Sequence, residues 1–179
     1  MNKKPPIFLA LGLALCAHAA TYGKLSDALK QLLPSGQKAF KTKVALTKAQ
    51  AEALNAMGDG DFLVDDRFDV YYTKNEKSQV TGVAVEMVEV LKRWKSSNTW
   101  VVGFTPAGTI TGVVLLELTE KRAFPMASPA FLKQYAGRRP EQAGIGKGVD
   151  AVSGATESCV LLSESVKRAA YVVSIANLK

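Results

Sequence analysis

Residues 100–118 read WVVGFTPAGTITGVVLLEL. Two runs of β-branched and apolar residues flank Thr105-Pro106-Ala107-Gly108. Pro suits the second position of a tight turn and Gly its last, so the stretch predicts an antiparallel hairpin. Upstream, Val80 to Val90 (VTGVAVEMVEV) predicts a further strand with Val83, Val85 and Met87 on one face. A polar turn, Asn75-Glu76-Lys77-Ser78, separates it from Phe68 to Thr73 (FDVYYT). Consecutive strands joined by short turns make an antiparallel meander.

Helical periodicity lies on both sides of this meander. Leu25, Ala28, Leu29, Leu32 and Leu33 recur at helical spacing until Pro34-Ser35-Gly36 ends the pattern. Thr47-Lys48-Ala49-Gln50 reads as a capping box, and Ala53, Leu54 and Met57 carry that helix to Gly58-Asp59-Gly60. Ser128-Pro129 opens another helix, with Phe131, Leu132 and Tyr135 on its buried side and Gly137 at its end. Residues 138–149 (RRPEQAGIGKGV) read as a mobile, Gly-rich linker. From Glu157 to about Asn177, Val160, Leu161, Ala169, Val172, Val173 and Ala176 give a long helix a broad apolar face. The fold class expected is α+β: an antiparallel β-sheet meander packed with helices, closed by a long C-terminal helix.

The 179 residues suit one domain, and 47% hydrophobic content suffices for a core. The N-terminus reads separately. Lys3 and Lys4 precede an apolar run from Ile7 to Cys16, and Ala17-His18-Ala19 supplies a small-x-small cleavage signal. That is the layout of a secretory signal peptide over residues 1–20, leaving 21–179 as the domain. Leu15 before Cys16 argues against a lipidated cysteine. Removing the leader lowers the formal charge from +7 to +5 and takes the single histidine, leaving Cys159 as the lone cysteine. A chain so composed has no Ser-His-Asp or Cys-His nucleophile, and no His or Cys set for zinc, haem or iron–sulfur. Redox work by this chain would need an organic cofactor. The scattered Lys and Arg, without aromatic interleaving, point away from nucleic acid and DNA.

Between the linker and the last helix lies Asp150-Ala-Val-Ser153-Gly154-Ala155-Thr156. The first turn of a helix carries N–H groups without partners and a positive dipole end, so it receives phosphate well. Ser153 can donate a further hydrogen bond, and Gly154 and Ala155 let a bulky group approach the backbone. Asp150 would repel a phosphate and reads as a structural acceptor or a recognition feature. Local composition by itself favours ordinary helix capping.

The segment Asp150 to Ser158 resembles the flavinylation motif D-x-x-S/T-G-A-T-x-S/T of the FMN-binding domain family. That family includes subunits C and G of sodium-pumping NADH:quinone reductase and of Rnf-type electron-transport complexes. Val101 to Phe104 with Gly108 to Val113 resembles the family's hairpin, and Phe131 to Gly137 its FLxQFxGK helix. The likeness covers about residues 99–170. It implies FMN linked through its phosphate to Thr156 by a flavin transferase acting on FAD. It also implies Ser153, Gly154, Ala155, Asp150, Ser158 and Glu120 as cofactor-binding residues. The family often follows that Glu with Thr-Pro-Gly; here Lys121-Arg122-Ala123 follows Glu120.

The expected protein is an exported, periplasmic electron carrier or reductase subunit rather than a stand-alone enzyme, with redox partner proteins, membrane-bound ones among the candidates. The alternatives are a module that binds FMN without covalent linkage, as a sensor or assembly factor, and a dedicated subunit of a membrane reductase. Among other residues, Gly144-Ile-Gly146-Lys147-Gly148 hints at a phosphate loop, but Glu141 and Gly148 break the Walker spacing. Lys147 stays a candidate neighbour of the phosphate. Cys159 reads as a small buried residue, and Trp94 and Trp100 as core or rim.

Overall fold

The computed structural model describes residues 19–58, 62–63, 66–91 and 96–178. In chain order the elements are β1 (Ala20–Thr21), α1 (Leu25–Leu32), β2 (Lys38–Ala45), α2 (Lys48–Asn55), β3 (Phe62–Leu63), β4 (Arg67–Lys74), β5 (Val80–Leu91), β6 (Ser96–Phe104), β7 (Ile110–Leu118), α3 (Pro129–Leu132), β8 (Gly144–Ile145), β9 (Gly148–Val149) and α4 (Thr156–Ile175). Residues 1–18 of the expected signal peptide and Trp94 lie outside the described residues, while Ala20, at the peptide's expected end, belongs to β1.

The main sheet is antiparallel with order β1-β7-β6-β5-β4-β2, and β3 pairs with β5. β4 to β7 are the expected meander. Tyr72↔Val83, Val83↔Phe104, Val85↔Val102 and Met87↔Trp100 set its register. Because side chains alternate across a strand, this register places Val83, Val85, Met87, Trp100, Val102 and Phe104 on one face. That face meets α4 through Leu161, Leu162, Val166, Ala169 and Val172, all buried in one core. The opposite face packs Tyr71, Ala84, Val101 and Leu116 against Ala28, Leu32 and Leu33 of α1 and its C-cap. Gly103 allows this second contact: a Cβ there would stand 2.8 Å from Leu32 Cβ.

Local chemistry accounts for the element ends. Gly108 N–H donates to Thr105 O (2.9 Å), with Gly108 in the left-handed region at φ +81°. Thr47 and Gln50 form the full capping box at the start of α2. Ser128 Oγ accepts from Phe131 N–H at the start of α3.

Four features differ from the sequence reading. β2 was not foreseen; its inward Phe40 and Val44 are separated by Lys41, Thr42 and Lys43, the pattern of a charged edge strand. The helix expected up to Gly137 is a short α3 followed by a 3₁₀ turn, Lys133–Tyr135. Residues 121–127 form a further 3₁₀ helix. Residues 138–149 are not a loose linker: Ala143 and Val149 are buried in the main core, and β8 and β9 pair with each other.

Candidate functional site

Two anchors fix α4 over the sheet. Trp100 Nε1 donates to Ser165 Oγ (2.9 Å), and Arg168 Nε donates to Glu89 Oε1 (3.1 Å). Both Arg168 and Glu89 are about 1% exposed. Burial pushes the Glu89 carboxyl up, against the opposing pull of Arg168 and Ser165. Towards the start of α4, Tyr135 Oη and Ser163 Oγ share a hydrogen bond at 2.9 Å. Burial raises the Tyr135 phenol, so it stays neutral. Phe131 packs edge-on against Tyr135 at 5.7 Å between centroids. Together these contacts hold α4 against β5, β6 and the 128–137 segment.

The start of α4 is thereby placed beside the end of β7. Thr156 is the first helical residue, and Ala155 is the N-cap. Alanine has no side-chain acceptor, so that position gives the first turn no side-chain cap. Ala155 itself is tied down: its N–H donates to Val152 O (3.0 Å), and its carbonyl accepts from Cys159 N–H (2.9 Å). Gly154 turns the chain into the helix at φ +79°, and a Cβ there would meet open space. Thr156 is exposed. Ser158, buried two residues further into the first turn, donates from Oγ to Glu120 Oε2 at 2.9 Å.

These residues line a cavity of about 250 Å³ that holds Glu120, Gly154, Ala155, Thr156 and Ser158, together with Arg122 and Glu157. Five of the seven expected cofactor residues are thus brought together. Ser153 and Asp150 lie on the loop leading in; both are exposed and neither lines the cavity. Asp150 is held by its backbone: its N–H donates to Gln134 Oε1 (2.9 Å), and its carbonyl accepts from Gln134 Nε2 (3.4 Å). Lys147 sits in the β8–β9 turn, its N–H on Gly144 O (2.9 Å), and is not among the lining residues.

Arg122 was not read from the sequence as a site residue. Its signal was there, in the Lys121-Arg122-Ala123 that replaces the family's usual Thr-Pro-Gly. Cys159 is fully buried, with Sγ accepting from Val152 N–H at 3.4 Å. Burial pushes its thiol up, so it is a poor thiolate despite its place in the first turn. Trp100 is fully buried in the core and cannot stack on a ligand at this site. Among the described residues there is no group of His, Cys, Asp or Glu arranged to hold a metal ion.

The site suits a phosphate better than it suits enclosure of a whole cofactor. It offers a helix start without a side-chain cap, an exposed hydroxyl and a backbone left open by glycine. Its volume lies below the roughly 300–1,000 Å³ of pockets that engulf small molecules.

The fold is an antiparallel sheet backed by a long helix whose first turn opens on this cavity. Residues 94–171 match the family described as FMN-binding domain. No curated protein matches the chain. Among solved structures, the crystal structure of Shewanella oneidensis NqrC is similar at 19% identity and a TM-score of 0.47, covering 76% of this chain and 78% of that one. That similarity is too loose to bear on function. Among the described residues, no helix is long and apolar enough to cross a membrane.

Proposed function

We propose that the protein is an exported electron-transfer protein whose FMN is linked through its phosphate to Thr156 by a flavin transferase. The observation that carries this reading is the position of Thr156: exposed, first in a 20-residue helix whose N-cap is an alanine, and opening on the cavity within the residues that match the FMN-binding domain family. An ordinary cap would place the hydroxyl one residue earlier and turn it onto the first-turn N–H groups. Here the hydroxyl stands beyond the cap, where it is available as a nucleophile and the first-turn N–H groups face incoming phosphate.

In the linkage step, Thr156 Oγ attacks the FMN-side phosphorus of FAD. One Oγ–P bond forms, the P–O bond to the AMP half breaks, AMP leaves, and the hydroxyl proton passes to solvent or to the transferase. Once attached, FMN supplies the redox chemistry that the chain's own side chains lack. The chain's share is positional. Gly154 leaves the backbone open, Glu120 and Ser158 fix the cavity's inner wall, and the buried anchors of α4 hold Thr156 in place.

Export to the periplasm through residues 1–20, and exchange of electrons with membrane-bound or soluble redox proteins, complete the reading. The test is the intact mass of the mature protein after coexpression with a flavin transferase. A gain equal to one FMN less water, absent in Thr156→Ala, is expected. An unmodified wild-type mass, or a modified Thr156→Ala, overturns the assignment. Flavin released on denaturation would instead mark a noncovalent FMN module.

A further inference from the structure

On the reading that Thr156 carries the flavin phosphate, the isoalloxazine ring must lie outside the cavity, because about 250 Å³ is less than the roughly 300–1,000 Å³ of pockets that engulf small ligands. A planar ring of that kind seeks an aromatic or apolar surface. Among the described residues two large apolar side chains are exposed, Tyr22 (40%) and Val88 (46%). Val88 follows Met87, which lies in the core beneath α4, so Val88 points to the sheet's other face, away from the cavity. Tyr22 lies on the cavity's side. Its ring meets Phe124 edge-on, at 6.5 Å between centroids and 77° between planes, and Phe124 packs against the core that α4 covers.

The backbone holds this pair close to the cavity wall. Tyr22 N–H donates to Leu116 O (2.9 Å), which continues the pairing of Ala20↔Leu118 and Thr21↔Glu117. Glu120, on the cavity wall, is two residues past the end of β7. Phe124 stands in the 3₁₀ helix Lys121–Ala127, two residues beyond Arg122, another lining residue; at about 2 Å of rise per residue that is roughly 4 Å along the helix. Buried Ala123 and Met126 fix that helix to the core. Whichever ring of the pair presents its edge, Phe124 leaves at least one face of Tyr22 uncovered. We propose that Tyr22, braced by Phe124, is the residue on which the isoalloxazine ring stacks. A ring held there stays at the protein surface, where a redox partner can approach it.

The experiment uses wild type, Tyr22→Leu and Tyr22→Phe, each loaded by coexpression with a flavin transferase. A phenol stacked on an isoalloxazine quenches its fluorescence: one electron passes from the phenol to the excited flavin and returns, restoring both. Denaturation frees the ring while the phosphodiester keeps it attached, so each sample supplies its own unquenched reference. An aromatic contact favours the stacked ring by about 2–12-fold, so native wild-type emission should lie about 3–13-fold below its denatured value. Tyr22→Leu should remove most of that difference. Tyr22→Phe keeps a ring but is a poor electron donor; it should restore emission while retaining the circular dichroism of the flavin's visible bands, which Tyr22→Leu should lose. A merely structural role would change the melting temperature and leave the quenching as in wild type. Native Tyr22→Leu quenched as strongly as wild type, or wild-type emission equal before and after denaturation, overturns the stacking while leaving attachment at Thr156 standing. A wild-type chain that takes no flavin overturns both.

Discussion

Replacing Arg168 by Met removes the charged partner of a carboxylate that has no access to water. Arg168 and Glu89 are each about 1% exposed, with Nη2 and Oε1 3.0 Å apart and Nε donating to the same oxygen. Glu164 lies 3.8 Å from Arg168 on the same helix face. Breaking a buried pair from one side costs about 3–5 kcal/mol, because the remaining charge is left uncompensated. For a domain of this size each kcal/mol moves the midpoint by about 2–4 °C, so the Arg168→Met melt should fall by about 6–20 °C.

The pH dependence fixes the cause. Burial already holds the Glu89 carboxyl above its ordinary value, and Arg168 is the largest influence pulling it back down. Without Arg168 it rises further. An acid whose folded pKa is raised contributes stability at low pH, and that contribution is lost as pH rises through the folded value. The deficit of Arg168→Met relative to wild type should therefore be smallest in acid and grow towards neutral pH. Adding Glu89→Leu removes the stranded charge, and the double variant should recover most of the loss, since apolar replacement of a buried pair is often neutral or better. Melts followed by circular dichroism from pH 4.5 to 8 provide the assay. A single-variant deficit below about 1 kcal/mol, a deficit independent of pH, or a double variant no more stable than the single would refute this account of how α4 is anchored.

Other outcomes follow from the site. Ser158→Ala removes the buried donor to Glu120 and should cost about 1.5–3 kcal/mol in chemical unfolding, the range for a hydrogen bond to a charged group. Gly154→Ala meets no atom within 4 Å but forces a side chain to φ +79°; thermal melts should fall by the equivalent of about 1–2 kcal/mol, and transferase-dependent flavin loading should slow. Cys159, buried and with its thiol pushed up, should resist a disulfide reagent at pH 8 in the native protein and react promptly in denaturant.

Where a feature depended on neighbours along the chain, it was legible before any coordinates. The Thr105–Gly108 turn, the Thr47–Gln50 capping box and the Ser128 cap each rest on side chains within a few positions of the backbone groups they satisfy. The meander followed from alternation and turn chemistry. The motif around Thr156 stood out only through its resemblance to the flavinylation motif, because its local composition alone is that of ordinary helix capping. β2 was missed because an edge strand need present only one apolar side chain in two, and Lys41, Thr42 and Lys43 separate its two large apolar residues, Phe40 and Val44.

What only the tertiary structure decided is which distant side chains share a space. Glu120 and Ser158 are 38 positions apart, and Glu89 and Arg168 are 79, yet each pair meets within hydrogen-bond distance. Arg122 reads as an unremarkable surface residue until the 3₁₀ turn after β7 sets it at the cavity rim. The sequence by itself determined the strands, the caps and the threonine at the helix start, because those depend on torsions and hydrogen bonds between near neighbours. The charge environment of that threonine depends on sheet register and helix anchoring, which exist only once the chain has folded.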